Sequence, residues 1–380
     1  MSDDERGRRR FLQTGALAAT AALAGCSALP SDDGSGESDG AEVGQIGSGR
    51  SPFGDRNLTG GTPMAELPEL SGELTLYSGR GEALVGTLID YIEDQYPDFT
   101  VRPSYNSAIA LVNQIETEGE ESPADVFFSV NAGALGLLKE KGRTATMPEA
   151  VVGMVPSEFA DPNDQWVGTS GRARTIPFNT ETFEAADIPE DVMIIPEQSR
   201  FEDEFGWAPT YSSFQAFITA MIQLEGEAAT REWLNGMQEL GVTSYPDEFQ
   251  VSQAVADGEI SAGFANHYYI QRVLAGRPDA PIATAFTDGG PGAIFNVAGA
   301  SVVDTAADST LAANFVRHLL SAEAQDYFAR TTFEYPLVPE IEPIGRLPTI
   351  DELNPPEGLD LTQLSNLDRT VSVLRDTGVL

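Results

Sequence analysis

Cysteine occurs once in the 380 residues, as Cys26, so no disulfide can close within the chain and no thiolate cluster can hold a metal. Histidine occurs twice, at His267 and His318, and there is no other cysteine to act as a nucleophile. Ser-His hydrolysis would have to use one of those two imidazoles with a positioned serine. The Gly-x-Ser-x-Gly match at residues 36–40 lies in a stretch too rich in Gly, Ser and Asp to form a strand-turn-helix elbow. Phosphate-loop and His-Glu-x-x-His motifs are absent. An enzyme is therefore not expected. The longest apolar run falls short of the ~20 residues that a spanning helix needs. Lysine is also scarce, with only Lys139 and Lys141.

Acidic residues number 59 against 22 basic ones, a net charge of -37. Such a field repels nucleic acid and anionic lipid. The acids are spread over a body with ordinary apolar segments, so disorder is the wrong reading for most of it. The pattern reads as adaptation to high salt, where repulsion is screened over about 3 Å at ~1 M. A halophilic protein is expected, and the acid count says little about a ligand.

What is present begins at the amino end. Arg8-Arg9-Arg10-Phe11-Leu12 precedes an apolar run over 15–23, then Leu23-Ala24-Gly25-Cys26. This reads as a signal of the twin-arginine route, which exports folded proteins, followed by a lipoprotein cleavage box. Residues 1–25 are expected to be removed and Cys26 to carry lipid, each buried methylene adding roughly 0.8 kcal/mol of membrane binding. Residues 26–71, rich in Ser, Gly, Asp and Pro, read as a flexible linker behind that anchor. The expected location is the extracellular face of the cell membrane.

Beyond the linker, strand and helix patterns alternate with short connections. Strands are expected over 73–78, 99–102 and 124–128, and helices over 82–96, 108–118 and 132–141. Further strands are expected at 174–178 and 260–265, with helices over 212–224, 227–240 and 311–330 and a short one near the carboxyl end. This is the rhythm of an α/β sheet with parallel strands, and its length exceeds one comfortable core. Two α/β lobes are the natural division.

Six segments, in order, resemble the iron(III)-type substrate-binding proteins of ABC importers, the ferric-ion-binding group of type II periplasmic binding proteins. They are Leu76-Tyr77-Ser78-Gly79-Arg80, Ser122 to Ser129, Trp166 to Arg174, Pro209-Thr210-Tyr211-Ser212-Ser213-Phe214, Asn266-His267-Tyr268-Tyr269, and Glu334-Tyr335-Pro336-Leu337. The resemblance implies two lobes joined by a hinge, with a ligand in the cleft between them. It places an N-lobe at 72–174 and 298–340, a C-lobe at 175–297, and a C-terminal segment, 341–380, packed on the lobes. It implies a lipid-anchored monomer that delivers Fe(III) to an ABC permease in the membrane.

Fe(III) is hard and highly charged, and phenolate oxygen suits it better than sulfur. The resemblance makes Tyr268 and Tyr269 the metal ligands. Adjacent residues on a regular strand face opposite ways, so the chain must leave the strand after Ala265 for both to reach one ion. Without the family context, the pair reads as one buried and one exposed tyrosine at a helix start. His267 is an accessory candidate or an orienting residue, and His318 reads as structural. The family's usual opening-loop ligand is missing from Gly79-Arg80-Gly81-Glu82, its glutamate is replaced by Val130-Asn131, and Phe178 stands where others have tyrosine. Glu82 and Asn131 are further accessory candidates. Carbonate or phosphate is the expected co-ligand, held by Arg80, Arg172 and Arg174, whose planar forks suit it, and by Tyr211, Ser212 and Ser213 at a helix start. Arg80, Arg172 and Arg174 could instead serve salt bridges. The alternative cargo is an oxyanion, phosphonate or small organic anion without iron.

Overall fold

A computed structural model of the protein describes Gln45, Ile46, Arg56, Leu58 and residues 60–380. The export signal, Cys26 and most of the linker lie outside the described residues.

The chain runs through β1 (Gly72–Ser78), α1 (Glu82–Gln95), β2 (Phe99–Tyr105), α2 (Ala108–Glu118), β3 (Val126–Ser129) and α3 (Ala132–Glu140). Short α4 (Glu149–Val152) leads to the long strand β4 (Val167–Asn179). Next come β5 (Phe205–Trp207), α5 (Ser212–Glu225), α6 (Glu227–Glu239), β6 (Thr243–Ser244), α7 (Glu248–Asp257), β7 (Ala262–Gly263), β8 (Ala265–Asn266), α8 (His267–Gly276) and β9 (Ile282–Ala285). Then follow β10 (Phe295–Val302), α9 (Ser309–His318), α10 (Ala322–Tyr327), β11 (Tyr335–Pro336) and α11 (Asp368–Asp376).

Local chemistry explains the early elements. α1 buries Val85, Leu88, Ile89 and Ile92, the inward stripe of an amphipathic helix. The side chains of Ser107 and Asn131 accept the Ala110 and Ala134 N–H groups and so cap α2 and α3. Strands β2, β1 and β3 lie parallel, and β10 joins β3 and β4 antiparallel to both.

β4 organises the rest. Its first half pairs with β10 and β11; its second half pairs with β8, β9 and β7. The partner changes from Phe295 opposite Ala173 to Asn266 opposite Arg174. The main apolar clusters divide near the same point. One takes its residues from 46–173 and 295–341, the other from 176–294 together with Leu364, Val373 and Leu374.

Three expectations need correction. The strand at 174–178 is the end of the 13-residue β4, which is buried along nearly its whole length and so shows no alternation. The strand at 260–265 is split into β7 and β8. The helix over 311–330 breaks after α9, because Ser321 accepts the Ala324 N–H and starts α10. A π-helical turn, Phe328–Thr332, follows.

The carboxyl end crosses back over the molecule. A 3₁₀ turn, Leu361–Ser365, packs on α3, where Gly133 and Gly136 make room for it. A β-carbon at Gly133 would lie 2.1 Å from Ser365 Oγ, and one at Gly136 2.4 Å from Thr362 Cβ. Among the described residues, no helix is long and apolar enough to cross a membrane.

Candidate metal centre

The chain leaves the strand after Asn266, one residue later than expected. β8 ends at Asn266 and α8 begins at His267, so Tyr268 and Tyr269 stand on the first helical turn. Their ring centroids are 4.3 Å apart, with Tyr269 buried and Tyr268 half-buried. The Tyr269 hydroxyl is hydrogen-bonded to that of Tyr211. Asn266 Nδ2 donates to the Tyr268 hydroxyl at 3.4 Å. Burial raises both pKa values, reinforced at Tyr269 by its phenol neighbours and opposed at Tyr268 by the charge of Arg172. Phenols so placed hold their protons, and a cation that binds them must displace those protons.

Asn266 also lines a cavity of about 210 Å³ beside the tyrosines. Arg172, Arg174, Ser212, Ser213 and Asn296 face the same space. Arg172 and Arg174 stand two apart on β4 and so point the same way. Arg174 Nη1 is ion-paired to Oε1 of the buried Glu248, which also accepts from Ser213 Oγ; the Asn266 N–H donates to Oε2 at 3.0 Å. The Nε and Nη2 atoms of both arginines have no hydrogen-bond partner. The N-cap residue of α5, Tyr211, makes no side-chain cap, so no capping side chain occupies the first amides of the helix. Guanidinium nitrogens without hydrogen-bond partners beside a helix start are donors of the kind that suit an anion.

Other expected site residues fall elsewhere. Arg80 is fully buried and does not line the cavity. Its Nη2 pairs with Glu334 Oε2 at 2.6 Å, its Nη1 donates to Ser170 Oγ, and its guanidinium lies between the rings of Phe128 and Phe328. An internal ion pair, not an anion in the cleft, is what Arg80 serves here. Burial alone would raise the Glu334 carboxyl, but Arg80 and then Arg172 hold it below its ordinary range. His267 is also withdrawn as a ligand candidate: Nδ1 accepts the Ala173 N–H at 3.1 Å and Nε2 donates to the Phe333 carbonyl at 2.8 Å. No lone pair is left for a metal, and burial lowers its pKa to about 4. Glu82 sits on the exposed first turn of α1, outside the cavity lining. Asn131 lines the cavity, but its Oδ1 already caps α3 and accepts from Ser365 Oγ at 3.0 Å. His318 is structural, tied to the Asn314 carbonyl and the Tyr96 hydroxyl. Among the described residues, no group of three or more His, Cys, Asp or Glu could hold a metal.

Glu248 and Asn296 were not singled out in the sequence, nor were Leu364 and Ser365, which also line the cavity. One buried carboxylate among 59 acidic residues carries no local signal.

Comparison with known proteins identifies the family. Residues 121–353 match a family model described as bacterial extracellular solute-binding protein. The major ferric iron-binding protein of Neisseria meningitidis is 28% identical over 323 residues, covering 83% of this chain and 95% of that protein. The Fe(3+)-binding periplasmic protein of Serratia marcescens is 25% identical over 312 residues, covering 81% of this chain and 90% of that protein. The solved structure of iron-bound HitA from Pseudomonas aeruginosa has a TM-score of 0.71 at 27% identity, covering 82% of this chain and 100% of that one. The fold is the two-lobe type II periplasmic-binding-protein fold, and the protein is a substrate-binding component rather than an enzyme. The chain belongs to the bacterial extracellular solute-binding protein family.

Proposed function

We propose that the protein is the extracytoplasmic binding component of an ABC importer and carries Fe(III) to its permease. The observation that carries this reading is the phenol pair, Tyr268 and Tyr269, with ring centroids 4.3 Å apart, beside a cavity faced by guanidinium nitrogens that have no hydrogen-bond partner. The pair supplies hard oxygen donors, and an anion such as carbonate or phosphate lies against Arg172, Arg174, Ser212 and Ser213 to complete the coordination. The names of the relatives from Neisseria and Serratia support iron as the cargo. In this reading, residues 72–174 with 298–340 form one lobe and 175–297 the other. The ligand draws them together by binding the closed form more tightly than the open one. Cys26 carries the lipid anchor after twin-arginine export, and the body works as a monomer in high salt.

Adding Fe(III) to metal-free protein should produce a visible phenolate-to-iron band. The double variant Tyr268→Phe with Tyr269→Phe should abolish it, and retention of full colour would sink the tyrosine assignment. The partnerless Nε and Nη2 atoms of Arg172 and Arg174 favour a second reading, in which the cargo is an oxyanion, phosphonate or small organic anion. Calorimetric binding of phosphate or carbonate, with no iron bound in its presence, would select that reading.

A further inference from the structure

We infer that Glu248 sets the charge the cavity accepts, holding it to a singly charged anion and turning dianions away. The inference rests on the reading above in which an anion lies against Arg172 and Arg174. Glu248 opens α7 and is fully buried. Its Oε1 accepts from Arg174 Nη1 and Ser213 Oγ, and its Oε2 accepts the Asn266 N–H at 3.0 Å. One carboxylate thus gathers a guanidinium from β4, a hydroxyl from α5 and an amide at the end of β8. Those are the donors that an anion in the cavity would claim, and Glu248 has claimed them first. Ser213 has a single hydroxyl proton, so it has none left for a guest.

What remains for the guest is fixed by the same contacts. The Arg174 guanidinium is held by Glu248 and stands 4.9 Å from the centre of the Phe217 ring. Its Nε and Nη2 atoms are buried without partners, as are those of Arg172. Charge then decides what they can hold. Glu334 pairs with Arg80 and lies 4.0 Å from Arg172. Three guanidinium groups therefore share two carboxylates, and one positive charge is left over. Attraction to that surplus grows in proportion to the guest's charge, while the cost of stripping its water grows with the square. A monoanion is matched to the site; a dianion brings an uncancelled charge up to two buried carboxylates. Without Glu248 the surplus would be two, and a dianion would be the matched guest. Glu248 touches no guest in this account: it is a positioning residue that acts through Arg174 and through its own field.

The test is calorimetric titration of the metal-free protein with methanesulfonate and with sulfate. The two are nearly alike in size and shape and differ by one charge. Ionic strength is matched, so competition from background salt falls on both alike. Wild type should bind methanesulfonate at least about tenfold more tightly than sulfate. Glu248→Gln keeps the side chain's shape and an acceptor oxygen but drops the charge, and should move the ratio towards sulfate by at least about tenfold. A merely structural role would weaken both guests together, and an unchanged ratio in a folded variant overturns the inference. So does a wild type that binds sulfate as tightly as methanesulfonate, and that measurement decides alone if Glu248→Gln fails to fold. In either case the anion reading stands. A wild type that binds neither guest overturns the inference and the anion reading together. The phenolate-to-iron band, recorded on the same samples, reports separately on Tyr268 and Tyr269.

Discussion

His267 donates its Nε2–H to the carbonyl of Phe333 at 2.8 Å, and this bond, with the Ala173 N–H on Nδ1, fixes one neutral tautomer in a closed pocket. The ring ties the start of α8 to the middle of β4 and to the turn before β11.

That neutral ring makes stability depend on pH. The unfolded chain takes up a proton near pH 6.5, while the folded protein resists it down to about 4. The His267 contribution is therefore complete above about pH 6.5 and is lost as pH falls towards 4, with a total of about 3 kcal/mol. Urea unfolding at pH 7 and pH 4.5 should show a shallower pH dependence in His267→Gln than in wild type. Part of the slope should persist, since burial also lowers His318 to about 4. Identical slopes would refute the account. His267→Gln should keep the iron band, because the ring has no lone pair to give.

Arg80 and Glu334 form a pair that neither can leave cheaply. Arg80→Ala strands a buried carboxylate and should cost about 3–5 kcal/mol in denaturant unfolding. A loss below about 1 kcal/mol would mean that Arg172, 4.0 Å from Glu334, replaces Arg80. Because the Glu334 pKa is depressed, the stability it provides is present above the usual carboxylate range and disappears on acidification below it.

Arg172→Ala should weaken anion binding by roughly tenfold or more, the scale of a hydrogen bond to a charged group. Arg172→Lys should not restore it, because an ammonium cannot reproduce the planar fork. Equal iron retention by Arg172→Ala and wild type across carbonate and phosphate buffers would remove this residue from the anion site.

Gly133→Ala and Gly136→Ala place a methyl group where Ser365 and Thr362 now lie. Each should cost about 1–3 kcal/mol and loosen the C-terminal turn. Limited proteolysis should then release a carboxyl-terminal peptide faster than from wild type. Unaltered cleavage would show that the turn adjusts without leaving α3.

Much of the fold was legible because α1, α2 and α3 carry apolar residues at helical spacing between short connections. β4 was legible only in part: a strand buried on both faces, holding Gly171, Arg172 and Pro177, follows no period. In the site, the tyrosine pair stood out as neighbours in sequence within the segment Asn266-His267-Tyr268-Tyr269. Tyr211 could not be assigned this way, because its partner lies 58 positions on. Arg80 was misplaced for the same reason: the acid that claims it is 254 residues away and looks like any other.

β4 has a consequence for how the halves can move. One uninterrupted strand serves both, and its neighbours change between Ala173 and Arg174. Rotation about that peptide would disturb few ladder bonds, whereas sliding would break many, so in the proposed closure the strand would serve as a fulcrum. Arg172 and Arg174 stand on either side of it, and His267 grips the N–H of Ala173 one peptide before it. In the proposed closure, a guest held by the two guanidinium groups would sit at the pivot itself and be kept by both halves as they turn.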